Sequence, residues 1–393
     1  MKILVVGQVF YPDNFRVNDI VKELSKENEV LVVTGLPDYD TGRIPKEYRW
    51  FKKRKEYYHN AKVIRVPIIS RRKGPIFRSL NYFSYVITGS VYTLFLRQRY
   101  DVVFSFQTSP ITMFLPGLLY AKKNKVKSVL YTLDLWPESV KAMNIKENTF
   151  FFRCIHKLSK WIYHGADVVL TSSPSFVEYL NQEIGLPRER ISHLPQYTDE
   201  TPEEPKGTWS VNATIQFMFA GNIGYMQDLE TIVLAVEQIQ REDFVVHIVG
   251  SGSNEEHIKS LVREKDLSNK VIFHGRKTHE EMNQLYSAMD VCLLTLKNEG
   301  YIGKTIPGKL QTYLAKGKAI AGAISNDTKS IIDRHGLGLC VESGDYEGLA
   351  NCMKKYLEHP DLVREHSLLA YKFYSENFTR NIFMNKLNVF LKE

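Results

Sequence analysis

The sequence predicts an α/β protein built from two doubly wound, Rossmann-like domains that face each other across a cleft. Short apolar runs alternate with helical segments along both halves of the chain, which is the pattern of parallel sheets covered by helices. At 393 residues, the chain is too long for a single core. Residues 195–211, PQYTDETPEEPKGTWSV, are rich in Pro, Thr and acidic residues and lack apolar periodicity. We therefore predict an N-terminal domain over 1–195 and a C-terminal domain over 196–375.

The N-terminal half begins with a strand. Residues 3–6 form a short apolar run closed by Gly7, which is typical of a buried strand and not of a signal peptide. Residues 82–96 are apolar but carry Ser, Thr and Gly, and they are fewer than the roughly 20 residues that a membrane span requires. We predict a buried helix there, with a partly embedded helix as the alternative. The other strands predicted in this half are 29–34, 61–66, 102–105, 128–133 and 168–171, and its helices include 16–24 and 110–122.

The C-terminal half shows the same alternation without an evident sequence repeat. Apolar positions on one side of residues 376–393 predict a helix that could dock back onto the first domain. The predicted strands are 215–220, 245–249, 271–274, 291–295, 319–321 and 338–341, and the predicted helices include 229–240, 255–265 and 279–288.

Positive charge is concentrated in one segment. The net charge of the chain is +8, but residues 43–78 alone hold thirteen Lys or Arg against Glu47 and Glu56, a local +11. Aromatic and aliphatic residues such as Trp50, Phe51 and Tyr57 lie among these charges. A segment of this kind could face anionic lipid, nucleic acid or a phosphorylated substrate, or could be a solvated loop.

The four cysteines indicate the compartment. They show no zinc-like spacing, which predicts buried free thiols in a reducing environment, and we expect a cytoplasmic protein. They are Cys154, Cys292, Cys340 and Cys352.

Three glycine-containing turns follow strands of the C-terminal half: FAGNIGYMQD at 219–228, VGSGS at 249–253 and GKTIPGK at 303–309. Glycine lets backbone approach a ligand, Pro307 suits the first turn of a helix, and helix N-termini bind phosphate. Lys304 and Lys309 add positive charge, and Asp228 is a candidate N-cap. Solvated lysines in an ordinary connection are the alternative, but the three turns together predict a nucleotide-diphosphate site.

The N-terminal half supplies candidate residues for the second substrate. Asp134 ends a predicted strand, where a catalytic or hydroxyl-binding carboxylate would face the cleft, and Trp136 could pack a sugar ring. The alternative makes Asp134 a helix cap with Glu138 in the first turn. Arg16, near a helix start with Asn14, could reach a phosphate or acceptor hydroxyl or lie on the surface.

No metal site is predicted. Asp38, Tyr39 and Asp40 match the DxD pattern of some sugar transferases but lie in the half not assigned to the nucleotide, so we interpret them as an acceptor loop or turn. His279 lacks the second histidine of a zinc helix and is interpreted as a helix start.

Segments along nearly the whole chain resemble glycosyltransferase family 4, the retaining, metal-independent transferases of GT-B fold. Within it, the chain is similar to the WbuB-type N-acetyl-L-fucosamine transferases of bacterial O-antigen and capsule assembly. The resembling segments are YPDNFR at 11–16, TGLPDYDTGRI at 34–44, TLDLWPES at 132–139, FAGNIGYMQDLE at 219–230, VGSGS at 249–253 and TIPGKLQTYLAKGKAI at 305–320.

The resemblance implies a UDP-sugar donor in the C-terminal domain and an acceptor in the N-terminal domain, with no cofactor and no metal. The acceptor would be a sugar on a polyprenyl diphosphate at the inner face of the membrane, and no nucleic acid is expected as a partner. Catalytic roles fall on Asp134, Lys304 and Lys309, and acceptor binding on Asn14, Arg16, Asp38, Trp136 and Glu138. The predicted donor-binding residues are Gly221, Asn222, Gln227, Gly250, Gly252, Arg276, Thr305, Ile306, Pro307, Gly308 and Thr312.

The chain departs from the family pattern at charged positions. Asn222 and Gln227 stand where many members carry an Arg and a Lys, and Lys304 and Thr312 stand where many carry two glutamates, the second of which contacts ribose. We therefore expect Lys304 and Lys309 to supply the positive charge for the leaving group. Relatives often have a histidine in place of Asp134, so this carboxylate could orient a hydroxyl instead of moving a proton.

The sequence thus predicts a two-domain transferase that adds an amino- or deoxy-sugar to a lipid-linked acceptor. Two alternatives stay open at this point: a nucleotide-sugar epimerase of the same architecture, and a non-enzymatic basic module that binds membrane or nucleic acid.

Overall fold

The structure, a computed structural model, describes residues 1–39, 41–50, 52–72, 74–143, 145, 147–198, 200–205 and 214–393. The chain divides into two compact units. The N-terminal unit comprises Met1–Leu194 and Met384–Glu393, and the C-terminal unit comprises Pro195–Phe383. Within the predicted linker, residues 199 and 206–211 lie outside the described part of the chain.

The described residues of the N-terminal unit form an eight-stranded sheet in the order β3-β4-β2-β1-β5-β6-β7-β8. All neighbouring strands are parallel except β3 and β4. The strands are β1 (Lys2–Val6), β2 (Glu29–Thr34), β3 (Lys55–Tyr58), β4 (Ala61–Arg65), β5 (Val102–Gln107), β6 (Lys127–Thr132), β7 (Val168–Thr171) and β8 (Ile191–His193). The helices are α1 (Arg16–Leu24), α2 (Pro75–Leu94), α3 (Leu115–Asn124), α4 (Phe150–Gly165) and α5 (Pro174–Gln182).

The C-terminal unit has a six-stranded parallel sheet, in the order β11-β10-β9-β12-β13-β14 across its described residues. Its strands are β9 (Ile215–Ala220), β10 (Phe244–Val249), β11 (Val271–Gly275), β12 (Val291–Thr295), β13 (Ala319–Ala323) and β14 (Gly338–Val341). Its helices are α6 (Leu229–Glu237), α7 (Glu255–Glu264), α8 (His279–Ala288), α9 (Gly308–Ala315), α10 (Asn326–His335), α11 (Tyr346–Glu358) and α12 (Asp361–Asn377).

The predicted fold class, two parallel α/β sheets, is confirmed. Strands β2, β7, β9 and β12 have the predicted bounds because each is a largely buried apolar run ended or followed by a polar or glycine residue. Strand β14 also has its predicted bounds, although its residues are only half-buried. The short strands β3 and β8 were not predicted, since edge strands carry polar residues and no continuous apolar run. The predicted helix at 110–122 is a 3₁₀ turn, Ile111–Phe114, followed by α3.

Helix α2 corrects the prediction of a buried apolar helix at 82–96. Its inward residues are Asn81, Tyr85, Gly89 and Thr93, whereas Ile76, Phe83 and Ile87 are 72%, 65% and 62% exposed. Polar residues lie on the inward side because their side chains donate hydrogen bonds to backbone carbonyls of neighbouring segments. Tyr85 donates to Val33 O at 3.3 Å and Thr93 to Pro116 O at 2.7 Å.

The last helix, α13 (Arg380–Lys392), runs from the C-terminal unit into the N-terminal unit. Within the N-terminal unit, Lys127 Nζ donates to Phe390 O at 2.7 Å. None of the helices in the described part of the chain combines the length and apolar character that a bilayer crossing needs. One smaller prediction was wrong, because Cys154 is exposed. Asp228 does occupy the predicted N-cap position of α6, although its carboxylate accepts from Thr231 and makes no capping bond.

Tight packing of α3 on the sheet gives a test of the fold. A Cβ at Gly117 would overlap Val6 Cγ2 and lie 2.8 Å from Val103 Cγ1, both on buried strands. We expect Gly117→Ala to lower the free energy of unfolding by about 1–3 kcal/mol through overpacking. The matched control is Gly308→Ala at the start of α9, where nothing lies within 4 Å of the added methyl. Urea denaturation measures both, and equal stabilities for the two variants would contradict the packing described.

Candidate functional site

Two loops lie side by side at the carboxyl edge of the C-terminal sheet. The first follows β9 and the second follows β10, and they are joined by hydrogen bonds from Gly221 N to Val249 O at 2.9 Å and from Ile223 N to Ser251 O at 3.0 Å. A Cβ at Gly250 would overlap Gly221 O, and one at Gly252 would overlap Ile223 O. The glycines predicted to admit a ligand are thus required first for the loops to pack on each other.

A cavity of about 430 Å³ opens beside these loops. Four predicted donor-binding residues contribute to its wall: Gly221, Asn222, Gly250 and Arg276. Arg276 is exposed, and its Nε donates to Ser251 Oγ at 2.5 Å. The position matches the rule that ligands of parallel α/β sheets bind beyond the carboxyl ends of the strands.

Several wall residues were not predicted. His279 was expected only as a helix start, and it does begin α8, with a capping box between Thr278 and Glu281. Met282 and Tyr286 follow on the same helical face, at a spacing that sequence reasoning assigns to a core. Ala220, Val249 and Ser251 lie in the predicted turns. The wall residues outside those turns that were not predicted are Glu200, Lys277, His279, Met282 and Tyr286.

Glu200 belongs to the segment interpreted as a linker, and it is held in place by Lys316. Lys316 is only 3% exposed, and its Nζ lies 3.2 Å from Glu200 and 2.7 Å from Glu203. Asn283 accepts from the same ammonium at 2.8 Å. Buried charges need such partners, so this network fixes Glu200 at the cavity wall.

Lys309 lies behind the first loop. Its Nζ donates to Gln227 Oε1 and sits 4.4 Å from the centroid of the Phe219 ring. A Cβ at Gly221 would overlap Lys309 Cε, so the lysine stem packs against the backbone that forms the cavity wall. Burial lowers the pKa of Lys309 to about 8, and no carboxylate of the described residues forms an ion pair with it. An ammonium in this setting favours a bound anion.

The remaining predicted donor-binding residues, and Lys304, which was predicted as catalytic, do not line the cavity as the described residues form it. Lys304 ends a 3₁₀ turn, with its Nζ 4.7 Å from the Tyr301 ring centroid. Thr312 Oγ1 lies 3.1 Å from Thr198 Oγ1. Pro307 is the N-cap residue of α9, as its predicted position at the helix start requires. The other residues in this group are Gln227, Gly252, Thr305, Ile306 and Gly308.

In the N-terminal unit, Asp134 follows β6 and is partly buried. Burial raises the pKa of Asp134, and hydrogen bonds from Ser139 and from Ser109 act in the opposite direction. Asp134 is not a helix cap, because the 3₁₀ turn that follows it begins only at Glu138. Trp136 Nε1 donates to Ser109 Oγ at 3.1 Å, which joins the ends of β5 and β6.

Two predicted acceptor-binding carboxylates are used inside the unit. Glu138 Oε1 accepts from Tyr179 OH at 3.1 Å, and its other oxygen pairs with Lys141. Asp38 is 6% exposed and accepts from Arg71 N at 2.7 Å and Asn81 Nδ2 at 2.9 Å. Burial raises the pKa of Asp38 to about 6. Asp38 therefore anchors α2 and the segment before it.

The other acceptor candidates lie at the start of α1. Asn14 is exposed, and Arg16 is the first residue of the helix and is partly buried. Asp40 of the DxD pattern lies outside the described residues. Among the residues that the structure describes, no group of three or more His, Cys, Asp or Glu side chains could hold a metal ion.

Comparisons with known proteins agree with this geometry. A family model described as Glycosyltransferase Family 4 matches residues 15–200, and one described as Glycosyl transferases group 1 matches residues 214–359. The chain is 27% identical over 305 residues to the probable glycosyltransferase WbjE of Pseudomonas aeruginosa, which covers 74% of this chain and 73% of that protein.

Two further similarities extend over nearly the whole chain. The putative colanic acid biosynthesis glycosyl transferase WcaI of Escherichia coli strain K12 is 22% identical over 393 residues, covering 93% of this chain and 95% of that protein. A structure of Anabaena Alr3699/HepE in complex with UDP matches with a TM-score of 0.72 at 14% identity, covering 100% of this chain and 99% of the other.

The epimerase and the non-enzymatic module, which the sequence left open, are therefore set aside. The architecture of the two sheets and the two matched domains together identify the chain as a glycosyltransferase of GT-B fold, with a family 4 domain followed by a group 1 domain.

Proposed function

We propose that the protein transfers a sugar from a UDP-sugar to a polyprenyl-diphosphate-linked sugar, with retention of anomeric configuration and without a metal, in O-antigen or capsule assembly. The observation that carries the proposal is Lys309, a half-buried lysine without a carboxylate partner among the described residues, packed behind Gly221 of the cavity wall. The relatives WbjE and WcaI are named as glycosyltransferases, the second of colanic acid biosynthesis. The WbuB-type resemblance adds N-acetyl-L-fucosamine as the transferred sugar.

The donor would place its diphosphate against the two glycine-containing loops. HepE, whose fold is similar, was solved with UDP bound. Lys309 would meet the leaving diphosphate, and the start of α9, with the Asn222 side chain, would add N–H groups. Removal of one such donor typically costs about 2.7–4 kcal/mol of transition-state stabilisation. Lys304 is proposed as a second cation at the same group.

Asp134 is proposed to orient the acceptor hydroxyl. Its carboxylate is partly exposed at the end of β6 and already accepts from Ser139, so it is fixed in direction. Trp136, held by Ser109, offers an apolar side for a sugar ring. Asn14 and Arg16, at the same carboxyl edge of the sheet, are proposed to bind the acceptor.

We also propose that the acceptor is reached at an anionic bilayer surface. The outward residues of α2 form an apolar row, and Arg71, Arg72 and Arg78 lie at its start. Lys122 Nζ of α3 lies 4.9 Å from the centroid of the Trp161 ring of α4, so these two helices are neighbours. Apolar side chains beside basic ones suit the interface of an anionic membrane. The exposed apolar residues are Ile76, Phe77, Leu80, Phe83, Ile87, Val91 and Phe95 near α2, and Phe150, Phe151, Leu158 and Trp161 of α4.

The transfer reaction is tested with a panel of UDP-sugars and a polyprenyl-diphosphate-sugar acceptor. We expect UDP release only with both substrates present, and a kcat at least 100-fold lower for Lys309→Met because the leaving group loses its cation. UDP release without acceptor, or a Lys309→Met variant within a few-fold of the parent, would contradict this assignment.

A stability measurement shows whether the lost activity of Lys309→Met comes from the missing cation or from unfolding. The native pKa of Lys309, about 8, lies below the value of 10.5 for an unperturbed lysine, so the unfolded state holds its proton more tightly. Lys309→Met should therefore be more stable at pH 7, by about 1–3 kcal/mol. This advantage should shrink between pH 8 and 10.5, where the ammonium is lost first from the native state.

The same lysine predicts the pH dependence of nucleotide affinity. UDP should bind the ammonium form, so its affinity should be nearly constant below pH 7 and fall as the pH rises through about 8. Lys309→Arg keeps its charge and should remove this fall. Calorimetric titration with UDP from pH 6.5 to 9.5 measures it, and identical profiles for the two proteins would assign the titration to another group.

Membrane association is tested by flotation with vesicles of phosphatidylcholine containing phosphatidylglycerol. We expect binding that weakens in high salt, and about tenfold less of it for Phe83→Ser with Ile87→Ser, because two large apolar side chains are lost. Val389→Ser, an exposed apolar position on α13, is the matched control. If the control weakens binding as much as the double variant does, α2 is not the contact surface.

A further inference from the structure

Glu200 is an acidic residue on the wall of the proposed nucleotide cavity, and the proposed reaction gives it no role. It contributes to the same wall as Gly221 and Gly250. Its carboxylate is largely buried, with 15% of the side chain exposed. A carboxylate so placed accepts hydrogen bonds and repels phosphate, so this part of the wall suits a neutral group that carries hydroxyls.

The carboxylate has acceptor capacity to spare. Glu200 Oε2 is buried and pairs with Lys316 Nζ at 3.2 Å. Glu200 Oε1 lies 3.4 Å from His279 Nδ1. A carboxylate can accept about four hydrogen bonds, so the partly exposed Glu200 side chain can still accept from a ligand in the cavity.

The charges around Lys316 do not cancel. Lys316 is paired with both Glu200 and Glu203, so two carboxylates share one buried ammonium. Glu200 thus adds negative charge to the cavity wall, and Lys309 packs behind Gly221 of the same wall. A ligand with an anionic group at one end and hydroxyls at the other would bind in a single orientation.

Thr312 fixes the segment that carries Glu200. The family resemblance places a ribose-binding glutamate at the position of Thr312, but here a threonine stands there and its Oγ1 lies 3.1 Å from Thr198 Oγ1. Thr198 is two residues before Glu200 in the chain. Thr312 thus anchors the segment that brings the carboxylate of Glu200 to the cavity.

We infer that Glu200 binds the 2′- and 3′-hydroxyls of the donor ribose, taking the role that Thr312 cannot fill. The inference rests on the proposed function, since it requires UDP to occupy this cavity. A carboxylate that accepts from ribose hydroxyls is a recurrent device of dinucleotide-binding α/β folds. The contact makes Glu200 a residue that selects ribonucleotide donors over deoxynucleotide donors.

The experiment compares UDP with 2′,3′-dideoxy-UDP by calorimetric titration of the full chain. We expect the wild-type protein to bind UDP at least tenfold more tightly, because hydrogen bonds to a charged acceptor are lost with the hydroxyls. In Glu200→Ala this preference should fall to threefold or less, with 2′,3′-dideoxy-UDP bound about equally by both proteins. Glu200→Gln, which keeps the shape of the side chain, should give an intermediate preference.

Glu203→Gln is the matched control, because it removes a carboxylate from the same lysine without belonging to the described cavity wall. It should keep the wild-type preference for UDP. If Glu200→Ala also keeps that preference, or if the wild-type protein shows none, the ribose assignment is wrong while the cavity remains a UDP site. If UDP does not bind the wild-type protein at all, the proposed function itself fails.

Discussion

The close approach of two backbone loops determines the C-terminal site. Gly250 lies so near Gly221 O that no side chain fits between them, and Gly252 stands in the same relation to Ile223 O. Any Cβ at these positions would push the loops apart. Lys309 depends on the same constraint, because its stem occupies the space that a side chain at Gly221 would fill. The cavity wall and the buried cation are thus consequences of one packing arrangement.

Separated charge then gives this site its polarity. The positive group, Lys309, is held by a neutral amide and an aromatic ring, neither of which cancels its charge. On the other side, two carboxylates share the single ammonium of Lys316, so negative charge is left over. Lys316 is buried, so its charge acts through a low dielectric. A nucleoside diphosphate has the matching asymmetry, with hydroxyls at the ribose and charge at the diphosphate.

Sequence reasoning recovered the sheets because parallel strands are buried on both faces and show as apolar runs, as in β9 and β12. It located the loops after β9 and β10 because glycine follows each strand directly. It missed Glu200, because residues 195–211 lack the apolar periodicity that would show where this segment packs. It also assigned Asp38 to an acceptor, since sequence cannot show that Arg71 N and Asn81 already use this carboxylate.

Helix α2 shows why apolar periodicity alone could mislead. A helical row of large apolar residues is normally the buried face, but here a row of Asn81, Tyr85, Gly89 and Thr93 faces inward. Each of these has a specific reason to be there: Asn81 binds Asp38, Tyr85 and Thr93 donate to backbone carbonyls, and Gly89 admits Pro116. Burial of polar groups is tolerated because they are bonded. The apolar row is then left exposed on the outside of α2.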